Sequence, residues 1–156
     1  MKLIVFDVSG TLQDDSPYAP MYDGMKALIV ALKKADISVA LATNLSRSGL
    51  NRFIAKNELK SYLDADITLS EAAPKPNPEM LETVMLKTGV DPTDTLMVGD
   101  GVGDIHMAHL AKVQACAVNF QGKWGGDVLH ELPEYKVESL KELCHILSDF
   151  TGKTLL

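Results

Sequence analysis

Five short apolar runs, each followed by polar residues and separated from the next by a segment of helical periodicity, constrain this chain most. The first, Leu3-Ile4-Val5-Phe6, is apolar at every position and stops at Asp7. That is the pattern of a strand buried on both faces at the centre of a parallel sheet. Ile37 to Ala42 ends at Thr43 and Asn44, Ala65 to Leu69 precedes the proline-rich Ala72 to Pro78, and Thr95 to Val98 ends in Gly99-Asp100. Val113 to Val118 leads into a glycine-rich stretch, Gln121 to Gly126, and Tyr135 to Val137 reads as a short edge strand. Between these runs Met25, Leu28, Ile29 and Leu32 recur at helical spacing up to Lys33 and Lys34, whose charges suit a helix C-terminus. Ser46 can cap a helix with Leu50, Phe53 and Ile54 on one face. A third helix is expected from Pro78 to Lys87, stopped by Gly89, a fourth from Asp104 to Ala111, and a closing amphipathic one from Leu140 to Leu147. Strand and helix in alternation predict an α/β fold: a three-layer, doubly wound parallel sheet with helices on both faces.

At 156 residues the chain fits one domain, 1–156, that buries roughly two-thirds of its unfolded surface. Its 46% hydrophobic and 23% charged residues are ordinary for a globular protein, and no apolar run approaches the ~18 residues of a membrane span. Asp7 interrupts the first apolar run before a signal-peptide core can form, so a cytoplasmic protein with reduced, buried Cys116 and Cys144 is expected. A net charge of −6 argues against binding a nucleic-acid backbone, although a divalent cation can reverse the sign locally for a small anion.

In an open parallel sheet, ligands bind beyond the carboxyl ends of the strands. Asp7, Thr43 and Asp100 each lie at such an end or one residue past it, and Lys75 joins them from a loop that three prolines stiffen. Taken singly, each has an ordinary structural reading. Asp7 can be a turn residue after a strand, Thr43 a turn cap, Lys75 a solvated lysine and Asp104 a helix N-terminal acid. Together an acidic pair, a hydroxyl and a lysine on one strand edge are what a magnesium-assisted phosphoryl site needs.

These residues resemble the motifs of the haloacid dehalogenase-like superfamily. Asp7-Val8-Ser9-Gly10-Thr11-Leu12 is similar to its first motif, Asp-x-Asp-Gly-Thr, Thr43 to its second and Lys75 to its third; Gly99-Asp100-Gly101-Val102-Gly103-Asp104 is similar to its fourth. The resemblance runs from residue 1 to about 147. Ala115 to Gly125 is similar to the phosphoglycolate phosphatase-like branch in particular. It implies that Asp7 attacks phosphorus and forms an aspartyl phosphate, and that Thr43, Asn44 and Lys75 hold the phosphoryl oxygens. It also implies that Asp7, the backbone carbonyl of Ser9 and Asp100 bind Mg2+, with Asp104 in support.

The chain departs from that pattern at Ser9, where the family's phosphatases carry the Asp that protonates the leaving group and then activates water. A hydroxyl cannot do this near neutral pH, and the loss typically costs ~10²–10⁴-fold. Relatives without a carboxylate there include transporting ATPases and true dehalogenases, but carbon–halogen displacement has no use for the metal-binding Asp100 and Asp104. Slow phosphotransfer and non-catalytic phosphate binding are the open alternatives. A response-regulator receiver uses similar residues in a different order, its metal-binding acids preceding the phosphoacceptor.

Other features have plainer readings. His106 and His109 share a helical face as a surface pair, while His130 and His145 have no partner pattern. Trp124 either packs or touches substrate, and Met80, Met85, Met97 and Met107 fill the core. The intervals from Asp7 to Thr43 and from Thr43 to Lys75 each hold one helical unit and its strand, leaving no room for a sizeable cap. An open site suits a bulky phosphorylated substrate, such as a macromolecule or nucleotide sugar, or shielding by a second subunit. Light scattering should therefore find a homo-oligomer, or else activity should favour large substrates; a monomer preferring phosphoglycolate would contradict this.

Overall fold

The computed structural model describes residues 1–16, 18–122, 124–125 and 127–155. Pro17 of the polar loop after the first strand, and Lys123 and Gly126 of the glycine-rich stretch, lie outside the described residues. In chain order the elements are β1 (Leu3–Phe6), α1 (Met25–Lys34), β2 (Ser38–Thr43), α2 (Arg47–Lys56), β3 (Ala65–Thr68) and α3 (Glu79–Thr88). They continue with β4 (Thr95–Gly99), α4 (Val102–Leu110), β5 (Gln114–Val118), β6 (Tyr135–Val137) and α5 (Leu140–Thr151). The strands form one sheet in the order β3-β2-β1-β4-β5-β6, and every pairing is parallel. β1 is central, as its unbroken apolar run predicts.

Period-two alternation splits the core between the two faces of the sheet. Ile4 and Phe6 of β1, with Val39, Leu41, Leu96, Val98, Cys116 and Val118, face α1, α2 and α5, which contribute Leu28, Leu32, Leu50, Phe53, Leu143 and Leu147. Leu3 and Val5, with Ala40, Ala42, Met97, Ala115 and Ala117, face α3 and α4, which contribute Met80, Leu81, Val84, Ile105 and Met107. All four β1 side chains are fully buried, each contributing roughly 1.5–3 kcal/mol. The four methionines assigned to the core are all buried. Among the described residues no cap domain is inserted between β1 and β3, and no helix is long and apolar enough to cross a membrane.

Four details differ from the sequence-based expectation. α4 begins at Val102 rather than Asp104, because Asp104 Oδ2 reaches back to accept from the Gly101 N–H at 3.1 Å and caps the helix from within its first turn. α5 continues past Leu147 to Thr151, where Gly152 in the left-handed region ends it. β3 stops at Thr68, whose N–H and hydroxyl donate to Glu71 at 3.1 and 2.8 Å and so turn the chain out of the sheet. Cys116 is buried, but Cys144 is only half-buried on α5, and both are free.

Arg47, the first residue of α2, ties that helix to β3 and to the turn beyond it. Its guanidinium contacts Asp66 Oδ1 at 2.8 Å and Glu71 at 2.6 and 3.3 Å. Hydrogen bonding to Arg47, aided by the two Thr68 donors and opposed by burial, lowers the Glu71 carboxyl to about 2. A carboxyl lowered on folding stabilises the fold fully above its unfolded value, and that stabilisation fades as pH falls toward about 2. The side chains are about a third exposed, so screening reduces the effect. Glu71→Gln should cost about 1 kcal/mol at pH 7 in urea denaturation, with the difference shrinking steadily as pH is lowered from about 4.5. A pH-independent difference would show that the charge is not responsible.

Candidate active site

Parallel pairing of β1 with β2 and β4 brings the ends of three strands side by side. Asp7 is held just beyond β1 by its N–H, which donates to Val98 O of β4 at 3.0 Å. The chain then turns at Gly10 with φ +81°, and a Cβ there would collide with the Asp100 carboxylate. Gly99 is similarly required, since a side chain on it would strike Asp104. Both glycines let acidic side chains pack directly against backbone.

Lys75 is the centre of the arrangement. Its Nζ lies 2.7 Å from Asp7 Oδ1, to which it donates a hydrogen bond, and 2.6 Å from Asp104 Oδ1, with which it forms an ion pair without hydrogen-bond alignment. All three side chains are nearly inaccessible, at 7%, 12% and 3% exposed for Lys75, Asp7 and Asp104. The lysine loop is anchored from the neighbouring strand: Asn44 Oδ1 accepts the Lys75 N–H at 3.2 Å. Thr43 is buried, and its Oγ1 accepts from the Leu45 N–H at 3.1 Å, which leaves its own hydrogen to donate. Asp7, Ser9, Thr43, Asn44, Lys75, Asp100 and Asp104 all line one cavity of about 350 Å³. Every residue singled out from the sequence for this site is therefore present in it.

Carboxylate oxygens of Asp7, Asp100 and Asp104 lie within 4.8 Å of one another. Burial raises the Asp7 carboxyl against the opposing pull of Lys75, and burial likewise raises Asp100. Asp104 is pushed up to about 6, first by burial and then by the charge of Asp7. Burial alone would lower the Lys75 ammonium, but Asp104 and Asp7 outweigh it and hold it above the ordinary lysine range. Three carboxylates against one ammonium leave an excess of negative charge on a buried floor. Such a set of hard oxygen donors fits a divalent cation.

Thr11 was not assigned a role from the sequence, yet it is fully buried with its hydroxyl 3.5 Å from Asp100 Oδ1. Its place as the threonine of the first motif was the signal for it. The anchoring task of Asn44 has no local signal, because its partner is thirty-one positions away. His109 contacts both Glu134 oxygens at 3.1 Å rather than pairing with exposed His106. Trp124 packs against the core on the α3–α4 face and its indole N–H lies 3.4 Å from Glu138 Oε1.

Residues 12–118 match the family model of the haloacid dehalogenase-like hydrolases. The chain belongs to that family. It is 26% identical over 126 residues to pyrophosphatase PpaX of Bacillus velezensis, which covers 80% of this chain and 58% of that protein. It is 28% identical over 133 residues to phosphoglycolate phosphatase 1 of Pseudomonas aeruginosa, covering 83% of this chain and 48% of that one. The chain thus spans about half the length of the curated relatives it matches. Among solved structures, a D,D-heptose 1.7-bisphosphate phosphatase from B. bronchiseptica, complexed with magnesium and phosphate, aligns with TM-score 0.75 and 26% identity over 96% of this chain and 99% of that one. A HAD phosphatase from Thermococcus onnurineus shares the fold at TM-score 0.83 and 18% identity, over 99% of this chain and all of that one. The family match begins after Asp7 and Ser9, so their placement rests on the geometry of the cavity.

Removing the bridging charge leaves buried carboxylates without a counter-ion. Lys75→Met should lower stability by about 3–5 kcal/mol in urea denaturation at neutral pH without divalent cations. A loss below about 1 kcal/mol would show that the three acids do not depend on Lys75.

Proposed function

We propose that this chain is a magnesium-dependent phosphomonoester hydrolase that works through an aspartyl phosphate on Asp7. The observation that carries the reading is Lys75 bridging buried Asp7 and Asp104 in a cavity that also holds Asp100 and the Thr43 hydroxyl. A carboxylate oxygen of Asp7 attacks phosphorus, and the bond from phosphorus to the leaving oxygen breaks. Water then attacks the same phosphorus, the Asp7 ester breaks, and inorganic phosphate departs. Lys75 and Thr43 donate to the phosphoryl oxygens, whose charge spreads during transfer, and Lys75 also pulls the Asp7 carboxyl down against the larger upward effect of burial. Asn44 acts through Lys75 by fixing its backbone. Asp7, the Ser9 carbonyl and Asp100 would hold Mg2+ with Asp104 in support, and the ion would supply neutralisation of phosphate charge when bound. The proposed compartment is the cytoplasm, consistent with two free thiols.

Ser9 favours a second reading, a phosphate-binding relative or a slow phosphotransferase. Its hydroxyl offers no proton of suitable acidity to a leaving group and no base for water. Substrates with good leaving groups should react, while hydrolysis of the phosphoenzyme lags and the adduct accumulates. Ser9→Asp should raise steady-state hydrolysis of p-nitrophenyl phosphate by ~10²-fold or more, and Asp7→Asn should abolish both turnover and the adduct seen by mass spectrometry after acid quench. Equal rates for the present chain and Ser9→Asp would remove residue 9 from the acid/base position. If the present chain shows no turnover and Ser9→Asp restores it, the phosphate-binding reading stands.

A further inference from the structure

The Asp100 carboxylate is confined mainly by the turn that follows β1. It packs against the backbone of Gly10, where a Cβ would collide with it, and its Oδ1 lies 3.5 Å from the Thr11 hydroxyl, at the outer limit of a hydrogen bond. Asp100 also lines a cavity of about 290 Å³, shared with Gly10, Phe120 and Gln121, into which the carboxylate has room to turn. The position of the Gly10–Thr11 turn therefore decides where Asp100 points.

That turn is held from a distant part of the chain. The Gly10 N–H donates to Gln13 O at 2.6 Å, Gln13 pairs with Met21 as an antiparallel bridge, and the Tyr22 N–H returns to Leu12 O at 2.9 Å. Whatever fixes Tyr22 thus fixes the base of the turn. The Tyr22 ring meets the Phe120 ring edge-on, with centroids 5.4 Å apart and planes at 72°, an arrangement that aromatic pairs prefer. Gln121 Nε2 donates to the Tyr22 hydroxyl at 3.3 Å and to Asp14 Oδ1 at 3.1 Å, so one exposed amide joins two points of the loop after β1. Phe120 and Gln121 leave β5 just beyond Asn119, whose N–H donates to Val137 O of β6 at 3.0 Å. The buried Asn119 Nδ2 has no hydrogen-bond partner among the described residues. The contacts therefore run from the sheet, through Phe120 and Gln121, to the turn that confines Asp100.

We propose that Asp14, Tyr22, Phe120 and Gln121 form a clasp that positions Asp100 for a divalent cation by holding the Gly10–Thr11 turn. None of the four lines the cavity of Asp7 and Lys75, so each is a positioning residue, and the inference rests on the metal reading of that cavity. A ligand carried on a loop is precise only when its surroundings are locked, and losing an outer hydrogen bond at a metal site typically weakens binding by about 10–100-fold. The clasp acts one contact further out. Magnesium alone, titrated into the full chain in a calorimeter, should bind about fivefold or more weakly to Gln121→Ala, a surface change that removes no charge. Phe120→Leu, which loses the edge-on ring contact but keeps apolar bulk, should weaken binding in the same direction. Asp14→Ala should match Gln121→Ala. Asp14→Asn, which loses the charge but keeps the accepting oxygen, should stay within about twofold of the unaltered chain. The clasp is overturned if Gln121→Ala binds within about twofold of the unaltered chain, whatever Phe120→Leu does to folding. It is also overturned if Asp14→Asn is as weak as Asp14→Ala, since the effect then belongs to charge and not to the hydrogen bond. An unaltered chain that binds no magnesium, or binding that survives Asp100→Asn, defeats the metal reading itself and the clasp with it.

Discussion

One ammonium group holds together side chains that would otherwise repel. Two unit charges about 4 Å apart interact by about 4 kcal/mol at the effective dielectric of a protein, so three neighbouring carboxylates cannot all ionise without compensation. Lys75 supplies it to Asp7 and Asp104 at 2.7 and 2.6 Å. Those three residues come from the end of β1, the first turn of α4 and the loop before α3. The same ion-pair cluster therefore links the end of β1, the loop before α3 and the start of α4, and the proposed phosphate site lies on the arrangement that keeps those loops in place.

Asp104 shows why two readings of one residue need not compete. Its Oδ2 accepts from the Gly101 N–H and caps α4, while its Oδ1 faces Lys75. An acid in the first turn of a helix is ordinary helix chemistry. Because α4 begins beside the end of β4, the same placement delivers a carboxylate to the cavity floor. Gly99 allows this closeness, since any side chain there would meet Asp104.

What was legible in the sequence was what repeats or what ends a repeat. The apolar run of β1 implied a central strand because every side chain in it needed cover, and parallel strands necessarily bring Asp7, Thr43 and Asp100 to one edge. The edge position of Tyr135–Val137 followed from its shortness. What was not legible depends on partners distant in the chain. Asn44 looks like any polar residue after a strand until Lys75 folds against it, and Arg47 looks like a surface charge until Asp66 and Glu71 meet it. The unpaired amide of Asn119 has no sequence signature, because absence of a partner is a property of the packed state. The end of α5 was legible but underread: Phe150, at helical spacing from Leu143 and Leu147, packs on the same core, and buried Thr151 follows it.

Ser9 lines the cavity but takes no part in the Lys75 ion pairs. The charge balance proposed to position phosphate is therefore separable from the group that would move protons. With a hydroxyl at position 9, Lys75, Thr43 and the acidic floor are still in place, so in the proposed mechanism the affinity for phosphoryl charge would persist. What changes is the barrier: a loss of ~10²–10⁴-fold corresponds to roughly 3–5 kcal/mol, paid at each step that needs a proton transferred. The first step can avoid that cost when the leaving group is already a stable anion. The second cannot, because the attacking water must always lose a proton. Under the proposed mechanism the chain is thereby better suited to forming an aspartyl ester than to breaking it, and residue 9 would act on the lifetime of that ester rather than on recognition of the substrate.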